Sequence, residues 1–512
     1  MTGMPPHLEV RPLPELVAGF AAAAPDVAIH DLALDSRQVR AGALFLACRG
    51  TKQHGLAFLP QALQRGAAAV LWEPAPGIPL PQAPVPLVAV EDLSRRAGEI
   101  AARFFDQPSA RLHCIGVTGT DGKTSTAYLL AQALEGLGAP CLYVGTLGTG
   151  RVGAIQPGDQ TTPDPVNLHR ALRTAVDAGA GAAAMEVSSH ALDQARVAGV
   201  RFHTAVLTNV GRDHLDYHGT QDRYAAAKRR LFTDFALQAR VLNRDDATGA
   251  AWLRALAGTE PRPTVYGLDG DVPTGKFVIG RGVQLRPGGV AFEATTHAGT
   301  ARIESRLLGR FNAYNLLAAL AALLEKGVPL ADAAAALAQA ATVPGRIEGF
   351  RGPRAAPLVV VDYAHTPQAL AQVLQAARAH CNATMWCVFS CGGDRDRGKR
   401  PLMGAAAALY ADRVIVTDDN PRSEDPAAIV REIRAGFPAG YGAQVIHDRA
   451  QAIETAVRQA GPGDVVVVAG KGHEETQQYG SEKRAFSDRA FVAQLVGHEG
   501  SGVRGQGSGE KK

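Results

Sequence analysis

The sequence predicts an α/β protein of three domains, and three observations predict it. The chain has 512 residues, beyond the range of one ordinary core. Twice along it, short apolar runs of strand type alternate with helical stretches, the pattern of mostly parallel sheets covered by helices. A glycine-rich turn, "VTGTDGKTST" from Val117, leaves an apolar run and opens a helix. Composition fits a globular chain, with 46% hydrophobic and 20% charged residues. The net charge of +4 is small and dispersed, so no nucleic-acid partner is expected. No apolar run reaches membrane-spanning length, and "MTGMPPHLEVRPL" lacks the apolar core of a signal peptide. Cys48, Cys114, Cys141, Cys381, Cys387 and Cys391 form no CxxC pair, which reads as reduced thiols in a cytoplasm.

The elements follow in order. Residues 1–107 form the first domain, with strands in "ALFLACRG", "AAAVLWE" and "VPLVAV" and a loop from Pro74 to Pro86. "FFDQPSARL" reads as a linker. Residues 108–341 form the central domain. Its strands are "LHCIGVTGT", "PCLYVGT", "GAAAMEVSS", "TAVLTNVG" and "ARVLNRDD", with helices "TSTAYLLAQALEGLG" and "VNLHRALRTAVDAGA" and an Ala-rich helix from Asn312 to about Ala341. Residues 342–498 repeat the alternation with "APLVVVDYA", "TMWCVFSCGG", "RVIVTDD", "AQVIHD" and "DVVVVAGKG", a Rossmann-like pattern. The Gly, Ser and charged tail, 499–512, reads as disordered.

The glycine-rich turn departs from the common phosphate-loop spacing. The position six before Lys123 is Val117, and the glycines are Gly116, Gly119 and Gly122. The chemistry is nevertheless complete. A phosphate needs inward N–H groups at a helix N-terminus, a lysine for charge and a hydroxyl for Mg²⁺. Gly119, Thr120, Asp121, Gly122, Lys123, Thr124 and Ser125 supply all three. Glu186 ends an apolar strand at its carboxyl edge, where parallel sheets place ligands, and a carboxylate there suits Mg²⁺. His214, in "GRDHLDYH", stands alone, and a lone histidine is more often structural. Lys228, Arg229 and Arg230, in "YAAAKRRLF", read locally as a solvated helix face.

"VTGTDGKTST" resembles the ATP loop of the Mur ligase superfamily. Further motifs in order resemble its diaminopimelate-adding members: "MEVSSHAL" at Met185, "TNVGRDHLDYHGT" at Thr208, "YAAAKRRLF" at Tyr224, "GRFNAYNLLAA" at Gly309, "PGRIE" at Pro344, "VDYAHTP" at Val361, "SCGGDRDRGKRPLMG" at Ser390, "DDNPRSEDP" at Asp418 and "VAGKGHEETQ" at Val468. The resemblance implies a three-domain architecture: a UDP-sugar-binding α/β domain, a P-loop-type ATPase domain and a Rossmann-like amino-acid domain. It implies ATP-dependent amide synthesis through an acyl phosphate, joining meso-diaminopimelate to UDP-MurNAc-L-Ala-D-Glu for peptidoglycan precursors, by a cytoplasmic monomer. Water would be excluded by domain closure.

Residue by residue, it implies ATP contacts at residues 119–125, at Asn312 on the adenine, and at Arg346, Asp362 and His365. Mg²⁺ would be held by Thr124, Glu186, His214 and a carbamylated Lys228, with Lys123, Lys228, Glu186 and His214 the catalytic set. An uncarbamylated lysine would repel the metal. The UDP-sugar peptide would meet Leu34, Ser36, Thr51, Lys52, Gln53, Gln160, Thr161, Thr162, Ser188, Gln194 and Arg196. Asp121 and Gln160 stand where the family usually has Asn. An acid at 121 should weaken nucleotide binding unless it faces solvent.

The added amino acid follows from a fork. An arginine reads a carboxylate through two parallel bonds. Arg422, in Asp419-Asn420-Pro421-Arg422, matches the diaminopimelate signature, with Arg395, Gly470 and Glu474 as further contacts. Rival readings are a sister ligase such as folylpolyglutamate synthase, a P-loop ATPase or kinase, and a catalytically dead nucleotide-sugar binder.

Overall fold

The computed structural model describes residues 10–50, 53–79, 81–352 and 356–497. Thr51 and Lys52 therefore lie outside the described residues, as does the 499–512 tail expected to be disordered. By contacts the chain divides into two compact units. One runs through residue 279 and adds 296–298 and 317–336; the other comprises 280–295, 299–316 and the chain from 337 on.

The first unit begins with a four-stranded parallel sheet, Asp31–Ala33, Ala43–Ala47, Ala67–Trp72 and Leu87–Ala89, in chain order. Helix Leu93–Phe104 buries Leu93, Ala97, Ile100, Ala101 and Phe104 on one face, spacings of three, four and one that keep them on one stripe. The stretch expected as a linker is packed instead. Phe104 and Phe105 belong to the core, and Pro108–Arg111 form a 3₁₀ turn. Two large aromatics were a better signal for burial than the proline was for a linker.

The same unit carries the mostly parallel central sheet. Its order is Thr264–Leu268, Ala239–Asn243, Phe202–Leu207, His113–Thr118, Ala182–Glu186, Cys141–Gly145 and Gly148–Gly150, the last antiparallel. Register decides what meets. Glu186 lies opposite Val117 and Leu207 opposite Thr118, so the segments after residues 118, 186 and 207 leave the sheet along one edge. Helix Lys123–Gly136 starts from Gly122, in a left-handed conformation, and stops through Gly138 (φ 75), where the Ala139 N–H returns to the Leu134 carbonyl.

The second unit holds a sheet ordered Glu348–Arg351, Leu358–Asp362, Val465–Ala469, Met385–Phe389, Arg413–Val416 and Gln444–Val445. Only the first pairing is antiparallel. Its valine-rich strands are buried on both faces, as parallel strands require. Helices Pro367–Arg378, Lys399–Tyr410 and Pro426–Arg434 contribute to the core on one face, Arg449–Gln459 and Asp488–Leu495 to that on the other. The Ala-rich helix expected from Asn312 to Ala341 is two helices, Arg310–Glu325 and Leu330–Gln339. Gly327 (φ 86) and Pro329 separate them, and the Val328 N–H caps the first by bonding Leu323 O. Strands Phe277–Arg286, Gly289–Thr296 and Gly299–Ser305, and the hairpin Thr476–Tyr479 with Glu482–Ala485, were not anticipated.

Candidate active site

The loop after strand His113–Thr118 is braced from the segment after the neighbouring strand. Thr120 N donates to Asn209 O at 2.8 Å and Asp121 N to Asn209 Oδ1 at 3.0 Å. Thr208 Oγ1 donates to Asp121 O at 2.6 Å, and Gly211 N to Thr120 Oγ1 at 2.8 Å. The packing is tight enough that a Cβ on Gly119 would fall 1.9 Å from Thr208 Oγ1. With those braces made, the N–H groups of Gly122, Lys123, Thr124 and Ser125 find no acceptor among the described residues. They open the helix with its positive dipole end, a ready anion site. The Asp121 side chain is exposed, the orientation in which an acid at this place costs nucleotide binding least.

Glu186 is fully buried and hydrogen-bonded at both carboxylate oxygens. Thr124 Oγ1 donates to its Oε2 at 2.8 Å, while Tyr143 OH and Thr146 N donate to Oε1 at 2.6 and 2.7 Å. A Cβ on Gly145 would lie 2.1 Å from Oε1, so the carboxylate needs glycine there. Tyr143 and Thr146 were missed in the sequence, because a tyrosine inside an apolar strand carries no sign of a functional partner.

Lys228 is where local reading and structure part. It is 1% exposed, not solvated. Its Nζ donates to Gly119 O at 2.6 Å and sits 4.4 Å from the Tyr224 ring centre. Lys123 Nζ donates to the same carbonyl at 2.9 Å and to Thr120 O at 2.7 Å. Burial first, and then the Lys123 charge, push the Lys228 pKa down to about 6. Burial also lowers that of Lys123, whereas Glu186, Asp121 and Asp213 oppose the shift. Of its neighbours, Arg230 pairs with Asp234 at 2.8 Å. His214 is left-handed (φ 51), 3.4 Å from Asp213 Oδ2, and edge-on to His190, with ring centres 4.7 Å apart. Burial lowers the pKa of His190, with the nearby His214 as the next cause.

Of the four residues expected to hold Mg²⁺, Thr124 and Glu186 are in direct contact and Lys228 lies beneath the same loop. Among the described residues, no group of three or more His, Cys, Asp or Glu is close enough to hold a metal. The donor set still fits a hard cation. The Thr124 hydroxyl, while donating to Glu186, keeps its lone pairs, and a neutral Lys228 amine is the form that becomes an anionic carbamate.

The residues expected to meet the UDP-sugar peptide divide. Arg196 gathers one group: its Nη1 donates to Gln160 Oε1 at 2.8 Å and Thr162 O at 3.0 Å, and its Nη2 to Gln194 Oε1 at 2.7 Å. Thr162 Oγ1 donates to Glu186 O at 2.9 Å and accepts from Ser188 N at 3.2 Å; Thr161 Oγ1 is 3.2 Å from Thr146 Oγ1. This patch therefore adjoins Glu186, and the Gln160 departure has a local account in the bond from Arg196. Ser36 lies apart in the small sheet domain, bonded to Gln61 at 2.6 Å, while Leu34 is half-buried and Gln53 exposed. A separate cleft of about 870 Å³, lined by Arg103, Phe202, His203 and Asp234 among others, opens at the amino ends of these strands and includes none of the predicted site residues.

In the second unit the strand ends gather another set. Asp362 accepts from Ile347 N and Ala364 N, each at 2.7 Å, and burial raises its pKa. The Arg346 guanidinium lies 5.4 Å from the Tyr363 ring, and the His365 ring 4.8 Å from it. Asn312 bonds Leu308 O at 2.8 Å and accepts from Asn315 at 2.9 Å. Asn420 donates to Glu474 at 2.8 Å, and the buried Lys471, missed in the sequence, donates to Glu474 Oε2 at 2.9 Å and Thr476 O at 2.6 Å. Lys471 and Asn420 hold the Glu474 carboxyl below the usual range against the burial that would raise it. A Cβ on Gly470 would meet Asp419 Oδ2 at 2.6 Å. Arg422, after Pro421, is left-handed (φ 52), tied by its N–H to Gln478 O at 3.1 Å and by its Nη1 to Gly393 O at 2.7 Å. A Cβ on Gly392 would lie 2.9 Å from Arg422 Nη1 and 3.9 Å from Arg395 Cγ, so the two arginines flank that glycine.

Known proteins resemble this chain in sequence and fold. Residues 117–323 match the Mur ligase middle domain, 345–472 the Mur ligase glutamate ligase domain, and 28–105 the Mur ligase family catalytic domain. The UDP-N-acetylmuramoyl-L-alanyl-D-glutamate--2,6-diaminopimelate ligase of Alkalilimnicola ehrlichii is 54% identical over 484 residues, 93% of this chain and 96% of that one.

The chain belongs to the Mur ligase family.

The identically named ligase of Pseudomonas aeruginosa is 48% identical over 486 residues, 94% of this chain and 98% of that one. A solved structure of a ligase with this name superposes with a TM-score of 0.76 at 35% identity, covering 96% of this chain and 99% of that one. The three-domain α/β architecture is therefore that of the Mur ligases.

The depressed Lys228 pKa makes a stability prediction. The unfolded lysine holds its proton up to about 10.5, the folded one only to about 6. Between these values the unfolded state binds more protons, so native stability rises with pH and falls as pH drops toward 6. Lys228→Met removes that slope. In metal-free, CO₂-depleted buffer, urea unfolding between about pH 6.5 and 9 should show wild type gaining on the variant by about 1 kcal/mol per pH unit. Parallel stability curves would contradict the buried, neutral amine.

Proposed function

We propose that this protein is an ATP-dependent amide ligase that adds meso-diaminopimelate to UDP-MurNAc-L-Ala-D-Glu during peptidoglycan precursor synthesis. It works in the cytoplasm as a monomer. The observation that carries the reading is the Arg422–Gly392–Arg395 arrangement beside Glu474 and Asn420. It brings the side chains of two arginines to one glycine, next to Asn420, whose amide bonds the Glu474 carboxylate, which supports a substrate amino acid with a second carboxylate and a second ammonium. The relatives at 48–54% identity carry that substrate in their names.

The reaction has two steps. A carboxylate oxygen of the UDP-sugar peptide attacks the γ-phosphorus of ATP, forming an acyl phosphate and releasing ADP. The diaminopimelate amine, as its ammonium loses a proton, then attacks the acyl carbon, and phosphate leaves. Catalysis of the first step is positioning and charge neutralisation. Residues 119–125 cradle the phosphates, with the N–H groups of Gly122 to Ser125 as donors and Lys123 as the charge. The proposed ATP contacts also include Asn312, Arg346, Asp362 and His365. The Arg196 patch, with Gln160, Thr161, Thr162, Ser188 and Gln194, holds the peptide end of the acceptor, and Leu34, Ser36, Thr51, Lys52 and Gln53 its nucleotide-sugar end. Mg²⁺, held by Thr124, Glu186, His214 and a carbamylated Lys228, would supply further charge neutralisation. Asp419, Asn420, Pro421, Gly470 and Glu474 frame the amino acid, whose distal carboxylate Arg422 and Arg395 read.

Phosphate release tests the reading. Wild type should release phosphate only when ATP, UDP-MurNAc-L-Ala-D-Glu and meso-diaminopimelate are all present, and should largely reject L-lysine. Arg422→Ala should lose about 2–5 kcal/mol of amino-acid recognition, because the substrate carboxylate is left unpaired. Equal turnover of both amino acids by wild type would overturn the assignment.

The phosphate loop has its own test. Lys123→Ala should abolish acyl-phosphate formation while leaving the Kd for UDP-MurNAc-L-Ala-D-Glu within about threefold, a cost under about 0.7 kcal/mol. A variant that binds the UDP-sugar peptide far more weakly yet turns over ATP would mean that the two sites are exchanged.

A further inference from the structure

The loops that carry Arg395 and Arg422 are stitched together from beneath by one buried arginine that no substrate role assigned above includes. Arg400, in helix Lys399–Tyr410, has a fully buried side chain. Its Nη1 donates to Glu424 Oε2 at 2.9 Å and Glu432 Oε2 at 2.8 Å, and its Nη2 to Glu424 Oε1 at 2.8 Å. Nη2 also reaches Gly392 O at 3.4 Å. Glu424 Oε1 accepts from Asp394 N at 2.6 Å, and the Asp394 carboxylate accepts from Ser423 Oγ at 2.5 Å and Ser423 N at 3.2 Å. Asp394 is itself left-handed, φ 54. Arg397 shares Glu432 from the solvent side.

Both loops therefore hang from the Arg400–Glu424 pair, one through Asp394 and Gly392, the other through Ser423 and Glu424. The bidentate fork fixes the angle of Glu424 as well as its distance, which an ammonium at the same place could not do. Left-handed backbone at Asp394 and Arg422 persists only where surrounding bonds over-determine it. The Arg400 network is that surrounding on one side, and the Gln478 carbonyl on the other.

We propose that Arg400 is a positioning residue for amino-acid selection: it touches no substrate atom, and through Glu424, Asp394 and Gly392 it sets the spacing of Arg395 and Arg422. This rests on the reading of those two arginines as the amino-acid carboxylate site. The test uses the full-length enzyme and the variants Arg400→Met, Arg400→Lys and Glu424→Gln, the last being the safeguard should the core substitution fail to fold. KM for each of the three substrates, kcat and the lysine-to-diaminopimelate preference are measured for each. Arg400→Met and Glu424→Gln should raise KM for meso-diaminopimelate by about tenfold or more while KM for ATP and for the UDP-sugar peptide stay within about twofold. Arg400→Lys, which keeps the charge and loses the fork, should recover only part of that loss. Discrimination against L-lysine should fall in step. Wild type that uses meso-diaminopimelate while folded variants keep its KM would overturn the role of Arg400, as would an equal loss for all three substrates. Wild type indifferent to meso-diaminopimelate would overturn the underlying assignment, and the inference with it.

Discussion

Two lysine amines share one carbonyl oxygen. Lys123 and Lys228 both donate to Gly119 O, at 2.9 and 2.6 Å, beneath a loop whose free N–H groups add more positive potential. Two cations on one carbonyl, one of them fully buried, would repel strongly. The protein relieves the conflict by giving up one charge, since burial beside Lys123 brings the Lys228 pKa to about 6. Much of the surrounding chain serves this point. Gly119 has no room for a Cβ, Thr208 and Asn209 brace the loop from the neighbouring strand, and Tyr224 covers the Lys228 amine. A neutral amine that faces an anion-seeking loop is the form that reacts with CO₂, and the resulting carbamate would supply the negative charge that the site lacks.

The second unit handles buried charge the other way, by pairing it. Arg449 and Asp488 are both fully buried and bonded through Nε and Nη2 at 2.7 Å each. Lys471 keeps Glu474 ionised, and Arg400 pulls the Glu424 pKa down to about 2. Each pair fixes a geometry rather than adding much net stability, because the cost of taking two ions out of water offsets their attraction. Pairing rigidifies the loops that carry Arg395 and Arg422, whereas an unpaired, depressed lysine keeps a reactive group available.

Motif and alternation were enough to read the glycine-rich turn that opens helix Lys123–Gly136, the Glu186 strand end and the parallel sheets, since each rests on contiguous residues whose chemistry is local. What was illegible rests on partners distant in sequence. Lys228 sits in "AKRRL" and looks solvated, because nothing nearby shows that Gly119, 109 positions earlier, will accept a hydrogen bond from it. Tyr143 and Thr146 reach Glu186 across the sheet, and Arg400 reaches Glu424 between two loops. The break between the two Ala-rich helices rests on Gly327 and Pro329, two residues set between long stretches of helical composition. The edge strands from Phe277 to Ser305 alternate, but their short, polar turns gave little contrast against the surrounding loops.

The chemistry of the first unit depends on the state of the Lys228 amine, and ¹³C NMR of the protein equilibrated with ¹³C-bicarbonate observes it directly. At about pH 7.5 with Mg²⁺, wild type should show one slowly exchanging carbamate carbonyl resonance. It should be missing in Lys228→Arg and should fade in wild type as the pH falls through about 6, where the amine takes up its proton. A spectrum without that resonance from fully active wild type, or an identical resonance in Lys228→Arg, would contradict the account.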